Sequence, residues 1–176
     1  MNKVRIGIDP GSIGGIVEGA DSVIAYPMPE TEADVVGLLR EIVERANIEG
    51  KEVVATIEKV SGFAGGDGQP GGAMFTFGRG AGIIYGALYM AQVRIEEVTP
   101  QKWQKALSLG NKQHVKCPSN ADAETRKRFA RQNAQYKTEW KNKLKAEAQR
   151  LYPSIKVTLK TADALLIYEY AKRTSF

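Results

Sequence analysis

The stretch KVRIGIDPGSIGGIV, Lys3 to Val17, decides the fold. Val4 to Ile8 reads as a buried strand. It runs straight into a carboxylate, Asp9, followed by Pro10 and Gly11 before strand-like residues resume. Asp-Pro-Gly is good turn chemistry, since Pro fixes φ and Gly supplies φ > 0. Asp9 is therefore either a turn residue in a capped hairpin or a functional carboxylate ending a core strand, and the rest of the chain has to decide which.

Outward from this stretch, VRIGIDPGSIGGIVEGADSVIAYPM gives two or three short strands punctuated by Gly and Asp, the pattern of an antiparallel meander. A helix follows in ETEADVVGLLREIVERANIEG. Thr31 with Asp34 resembles a capping box, and Val35, Leu38, Leu39, Ile42, Val43 and Ala46 recur at helical spacing before Gly50. KEVVATIEKV is then a second buried strand, Val53 to Ile57, and it too ends in an acid, Glu58. A strand, a crossover helix and a second strand imply parallel pairing, which would bring Asp9 and Glu58 to one sheet edge. The reading is an α/β fold with a mixed central sheet, antiparallel meander plus parallel strands, flanked by helices.

SGFAGGDGQPGGAMFTFGRG is glycine-rich, with Phe63, Phe75 and Phe77 among the glycines, and reads as a loop without regular structure. A small-residue helix continues from it through Gly78, Ala81, Gly82, Gly86 and Ala87, suited to close helix packing inside the domain or to a dimer interface. RIEEVTP supplies another strand, and QKWQKALSLGNKQ starts a helix behind Pro100. TLKTADALLIYEYAKR is a terminal helix with Asp163 at its start, where an acid stabilises the helix dipole.

The charge is partitioned. Residues 1–100 hold 8 Lys/Arg against 14 Asp/Glu, and residues 101–176 hold 17 against 6. Asn111 to Lys145 carries 10 Lys/Arg against 3 acids, with Phe129, Tyr136 and Trp140 interleaved. A basic, largely helical arm of this kind favours a polyanion, nucleic acid, as partner. With 176 residues and 43% apolar content the chain reads as one domain, 1–176, with a basic helical insertion at about 111–145. No run approaches the ~20 apolar residues of a membrane span, and MNKVRIGIDPG enters a strand at once. The expectation is a cytoplasmic protein with no membrane partner. Cys117 and His114 are one ligand pair short of a zinc site.

Asp9, Glu58 and Asp163 thus come from three distant elements, each where an acid is costly unless compensated. A divalent cation compensates all three at once. Carboxylate oxygens select Mg²⁺ or Mn²⁺, and two such ions ~3.5–4 Å apart serve phosphodiester hydrolysis. With the basic arm, this points to a metal-dependent nuclease.

IGIDPG (6–11), IEKV (57–60), MFTFGRGAGIIYGAL (74–88), VTPQKWQKAL (98–107) and TADALLIYEY (161–170), in that order, resemble the RuvC-type Holliday-junction resolvases, particularly the bacteriophage branch and the related chloroplast resolvases. The resemblance implies a ribonuclease-H-like fold, a homodimer on a four-way DNA junction, and paired symmetric nicks requiring two Mg²⁺ (or Mn²⁺) ions per site. It also implies location in the host cytoplasm if the chain is phage-encoded. It carries Asp9, Glu58 and Asp163 over as catalytic metal ligands. The family's fourth ligand, an Asp or His three or four residues before the last aspartate, is here replaced by Lys160 or Leu159. The resemblance further implies an aromatic after the glutamate that stacks at the junction centre, with Phe63 the candidate before Phe75 and Phe77. Arg79, Lys102 and Lys105 lie in the matching blocks as phosphate contacts. Lys112, Lys116, Arg126, Lys127, Arg128 and Arg131 join them from the basic segment.

Two other readings compete. An ATP-binding protein of the actin or sugar-kinase class shares a D-x-G loop but needs two lobes, and this chain supplies one, so no nucleotide cofactor is expected. A branched-DNA binding protein of the same fold with weak or no cleavage is the stronger rival, because of Lys160. A nuclease acting on flaps and forks as well as junctions is a variant of the first reading.

Overall fold

The computed structural model describes residues 3–59 and 71–174. Five strands form one sheet: β1 (Lys3–Asp9), β2 (Gly15–Gly19), β3 (Val23–Pro27), β4 (Glu52–Glu58) and β5 (Arg94–Val98), in the order β3-β2-β1-β4-β5. The meander β1-β2-β3 is antiparallel, while β4 and β5 join β1 in parallel. The connection from β3 to β4 is α1 (Glu32–Ile48), and from β4 to β5 it includes α2 (Gly71–Met90). Beyond β5 come α3 (Pro100–Ala106), α4 (Ala123–Leu151) and α5 (Ala162–Thr174).

Strand side chains alternate between faces, so the sheet separates two cores. Ile6, Ile8, Ile16 and Ile57 pack with Leu39 and Ile42 of α1 and Ile84 and Leu88 of α2. Val17 and Val98, on the other face, pack with Trp103 of α3, Trp140, Leu144 and Ala148 of α4 and Leu165 and Leu166 of α5. Gly7 and Asp9 alternate with the isoleucines and face the α5 layer, as do Thr56 and Glu58 on β4.

Helix α1 starts as its sequence requires. Thr31 accepts the backbone N–H of Asp34 at 3.1 Å, and Val35, Leu39, Ile42, Val43 and Ala46 are the buried stripe. Gly50, at φ +64°, makes the left-handed turn behind the helix. Helix α2 begins at Gly71, inside the stretch expected to be irregular. Two glycines open it, and the apolar residues behind them, Ala81, Ile84 and Leu88, hold it on the sheet.

The fit of α5 depends on absent side chains. A Cβ on Gly7 would lie 2.6 Å from Ala164 O and Tyr168 N, and one on Gly15 would lie 2.8 Å from Lys160 O. The helix backbone therefore rests directly on β1, and the residues just before it on β2, which sets the height at which its first turn meets the end of β1.

Candidate active site

The site is assembled by register. Ile8 pairs with Ile57 in parallel, so the next residues, Asp9 and Glu58, end neighbouring strands and point to the same face. Asp9 leads into the tight turn: Gly11 N–H donates to Asp9 O at 3.0 Å and Gly14 N–H to Gly11 O at 2.8 Å. Contrary to the turn chemistry expected of Asp-Pro-Gly, Gly11 does not adopt positive φ; Gly50 and Gly110 are the described glycines that do. Gly14 is the demanding position, because a Cβ there would stand 2.1 Å from Asp9 O.

Asp163 arrives in the first turn of α5, which is fixed by a reciprocal threonine pair. Thr158 N–H donates to Thr161 Oγ1 at 3.0 Å, and Thr161 N–H donates to Thr158 Oγ1 at 3.3 Å. Lys160 lies in this turn with its side chain exposed. Asp163 is buried; its Oδ2 accepts the Lys141 ammonium at 2.5 Å, and its Oδ1 is buried without any hydrogen-bond partner.

These groups feel one another. Burial first, then the charges of Asp163 and Glu58, push the Asp9 carboxyl up to about 7, with Lys141 opposing. Glu58 is raised chiefly by burial and further by Asp163, against the Trp103 hydrogen bond and Lys141. The Lys141 ammonium is held above its ordinary value although burial, its largest influence, pulls the other way. Asp163, Asp9 and Glu58 together outweigh that pull.

The structure thus brings the three sequence-identified acids to one place and adds two residues that the sequence did not single out. Lys141 is one. Trp103 is the other: it is fully buried, and its indole Nε1 donates to Glu58 Oε2 at 2.8 Å. Trp103 is a positioning residue. Trp103→Phe keeps most of the packing and deletes the donor. The expected result is a more alkaline Glu58, seen as an upward shift in a carboxylate NMR titration, and a loss of about 1–2 kcal/mol of stability; an unmoved Glu58 titration would contradict this role.

Hard oxygen donors, an orphaned buried carboxylate oxygen and an uncompensated excess of negative charge all suit a divalent cation. As the side chains stand, no three acids among the described residues are close enough together to ligate one ion. The cation that answers them is Lys141. An incoming metal therefore competes with Lys141 for Asp163.

The expected DNA contacts divide. Phe75 is 72% exposed, whereas Phe77 is half-buried at the edge of a cleft of about 500 Å³ beside Pro10 and Gly11. Arg79 is not free: its guanidinium pairs with Glu32 at 2.7 Å. Lys102 and Lys105 are exposed on α3, and Lys112 and Lys116 on the segment before α4. Arg126 turns back to the Ala121 and Ser119 carbonyls at 2.9 and 3.1 Å, and Arg128 lies 5.6 Å from the Phe129 ring centroid. Lys127 and Arg131 are exposed. Trp140, read from sequence as one of the aromatics among the basic residues, is instead core, because it shares a face with Leu144 and Ala148. Phe63 lies outside the described residues.

A mixed five-stranded sheet with this strand order, flanked by helices, matches the ribonuclease-H-like fold of RuvC. Among solved structures, Thermus thermophilus RuvC in complex with a Holliday-junction substrate matches with a TM-score of 0.53 at 15% identity, covering 98% of this chain and 96% of that one. A second structure of Thermus thermophilus RuvC matches with a TM-score of 0.49 at 18% identity, over 97% and 95% of the two chains. No family model and no curated protein sequence matches the chain.

Proposed function

We propose that the protein is a divalent-metal-dependent, structure-selective endonuclease for branched DNA, with the four-way junction as its principal substrate. The observation that carries this reading is the convergence of Asp9, Glu58 and Asp163 from three separate elements, beside Lys141 and at the foot of a basic helix. Likeness in fold to RuvC, solved with a Holliday junction, supports the substrate class.

Asp9, Glu58 and Asp163 are the residues that would hold Mg²⁺ or Mn²⁺, two ions per site. The metal would supply an activated water and charge neutralisation at the phosphate. The chain's own groups do the rest. Trp103 fixes the Glu58 carboxylate, and the α5 backbone, seated on Gly7, fixes Asp163. Lys141, which pairs with Asp163, is the cation beside the acids that would face the scissile phosphate. In-line attack by water breaks the bond to the 3′ oxygen, leaving 5′-phosphate and 3′-hydroxyl ends.

Paired nicks call for two copies. The exposed side of α2 suits a homodimer: a Cβ on Gly78, Gly82 or Gly86 would meet nothing within 4 Å, and Phe75, Tyr89 and Met90 are exposed near its two ends. The site of action would be the cytoplasm, that of the host for a phage-borne chain in the bacteriophage branch. Among the described residues no helix is long and apolar enough to cross a membrane.

The test is a synthetic four-way junction, end-labelled on each strand, incubated with the full chain in Mg²⁺ or Mn²⁺. Symmetric nicks in opposed strands, lost on chelation, are expected. Tight, salt-sensitive binding with no nick in either metal would instead establish the second reading, a branched-DNA binding protein. The Lys141–Asp163 pair, which occupies a carboxylate needed for metal, favours that reading.

A further inference from the structure

Helix α4 has two halves with different surroundings. Trp140, Leu144 and Ala148 seat its C-terminal half in the core with α5. The half before Trp140, ~25 Å long at 1.5 Å per residue, buries no side chain in the body. One flank of it is covered by the preceding segment: Asn133 Nδ2 donates to Val115 O and its Oδ1 accepts Val115 N–H, both at 3.0 Å. The other flank is bare.

At ~100° per residue, Lys127, Arg131, Thr138, Lys141 and Lys145 fall within a sector of roughly 80° on that bare flank. No acid of α4 shares the sector. Glu139 and Glu147 lie on the far side, bound to Gln135 and Arg150, and Glu124 sits just past its edge at the helix start. Lys127 and Arg131 are exposed, and neither enters an ion pair or a side-chain hydrogen bond among the described residues. The stripe passes through Lys141, which pairs with Asp163, before reaching Lys145.

Resting on the nuclease reading above, we infer that this flank is a phosphate rail for a duplex arm of the substrate, with Lys127 and Arg131 gripping the backbone of the strand that continues into the site. The contacts are to phosphate and carry no sequence preference. From Lys141 to Arg131 is ~15 Å and to Lys127 ~21 Å along the axis, so the rail spans about six base pairs beyond the scissile phosphate at 3.4 Å per base pair. Arg126 and Arg128 belong to the arm's own architecture.

The experiment uses the full chain without added metal, and junctions with arms of either ~15 or ~4 base pairs, titrated at several salt concentrations. On long arms, Lys127→Gln with Arg131→Gln is expected to lower the slope of log affinity against log salt by about 1.8 and to weaken binding about tenfold or more. On short arms the double variant and the wild type are expected to coincide. Arg94→Gln with Arg150→Gln removes equal charge from residues paired to Glu96 and Glu147 and is expected to leave the slope unchanged. An unchanged slope on long arms, an equal loss on short arms, or the same loss in the charge-matched control would each overturn the rail. If the wild type shows no preference for a junction over linear duplex, the nuclease reading is what fails. The rail is then judged on the linear duplex by the same change in slope.

Discussion

Asp9→Asn is expected to abolish the proposed junction cleavage, by about a thousandfold or more, while making the metal-free protein more stable above neutral pH. The first half follows from the proposed metal site, in which Asp9 is the acid that both neighbours act on: an oxygen ligand lost between Glu58 and Asp163 would cost several kcal/mol of transition-state stabilisation. The second half follows from linkage. The Asp9 carboxyl titrates at about 7 in the folded protein against 3.8 in the reference state. Between those values the folded chain holds a proton that the unfolded chain has released, so stability falls as pH rises through this window. Above pH 7 the whole cost is present, up to about 4 kcal/mol at 1.36 kcal/mol per pH unit. Asparagine removes it. Glu58, also raised, leaves a smaller slope of the same sign, and Lys141 stays charged throughout. Urea unfolding at pH 5, 6.5 and 8, with and without Mg²⁺, reads the stability half, and the junction assay reads the other. A wild type no less stable at pH 8 than at pH 5 in the absence of metal would refute the account of the acid cluster, and full cleavage by Asp9→Asn would refute its role.

Gly7→Val is expected to destabilise the protein by about 3 kcal/mol or more, against the ordinary preference of strands for valine over glycine. The new Cβ would meet Ala164 O, Tyr168 N and Tyr168 Cα at 2.6 to 2.8 Å, and all three are backbone atoms of α5, so no rotamer change relieves the clash. The helix must lift, and Asp163 lifts with it. Loss of junction cleavage is therefore expected even in whatever fraction remains folded. Gly37→Ala is the internal contrast: it sits inside α1 with nothing within 4 Å of a new Cβ, and the substitution should gain up to about 1 kcal/mol. Equal denaturant midpoints for Gly7→Val and the wild type would show that α5 does not rest on β1 as described.

Much of this was open to reading in the sequence, because the informative signals are local. A run of apolar residues broken by an acid marks the ends of β1 and β4. Thr31 and Asp34 mark the start of α1, and the parallel crossover then puts Asp9 beside Glu58. Asp163 was visible as the acid at the start of a largely apolar helix. Lys141 was not visible. It is one of ten basic residues between Asn111 and Lys145, and 22 residues separate it from Asp163. Nothing local distinguishes it from Lys137 or Lys143; only the packing of α4 on α5 selects it. The spacing of Trp140, Leu144 and Ala148 did carry a signal, an i, i+4, i+8 apolar face, and it outweighs the charged company in which Trp140 stands. Trp103 belongs to a short helix whose apolar side is too brief to show a period, and its role depends on Glu58 being 45 residues away in the chain.

The alternation along β1 has a further consequence. Ile6 and Ile8 enter the core beneath α1 and α2, while Gly7 and Asp9 meet α5. Core and chemistry are thus interleaved in a single parity. Sliding β1 by one residue would drive the Asp9 charge among Ile84 and Leu88, and would present isoleucine side chains to a helix that tolerates only glycine there. Each error penalises the other, so a chain that has closed this sheet correctly has, by the same act, aimed its carboxylate.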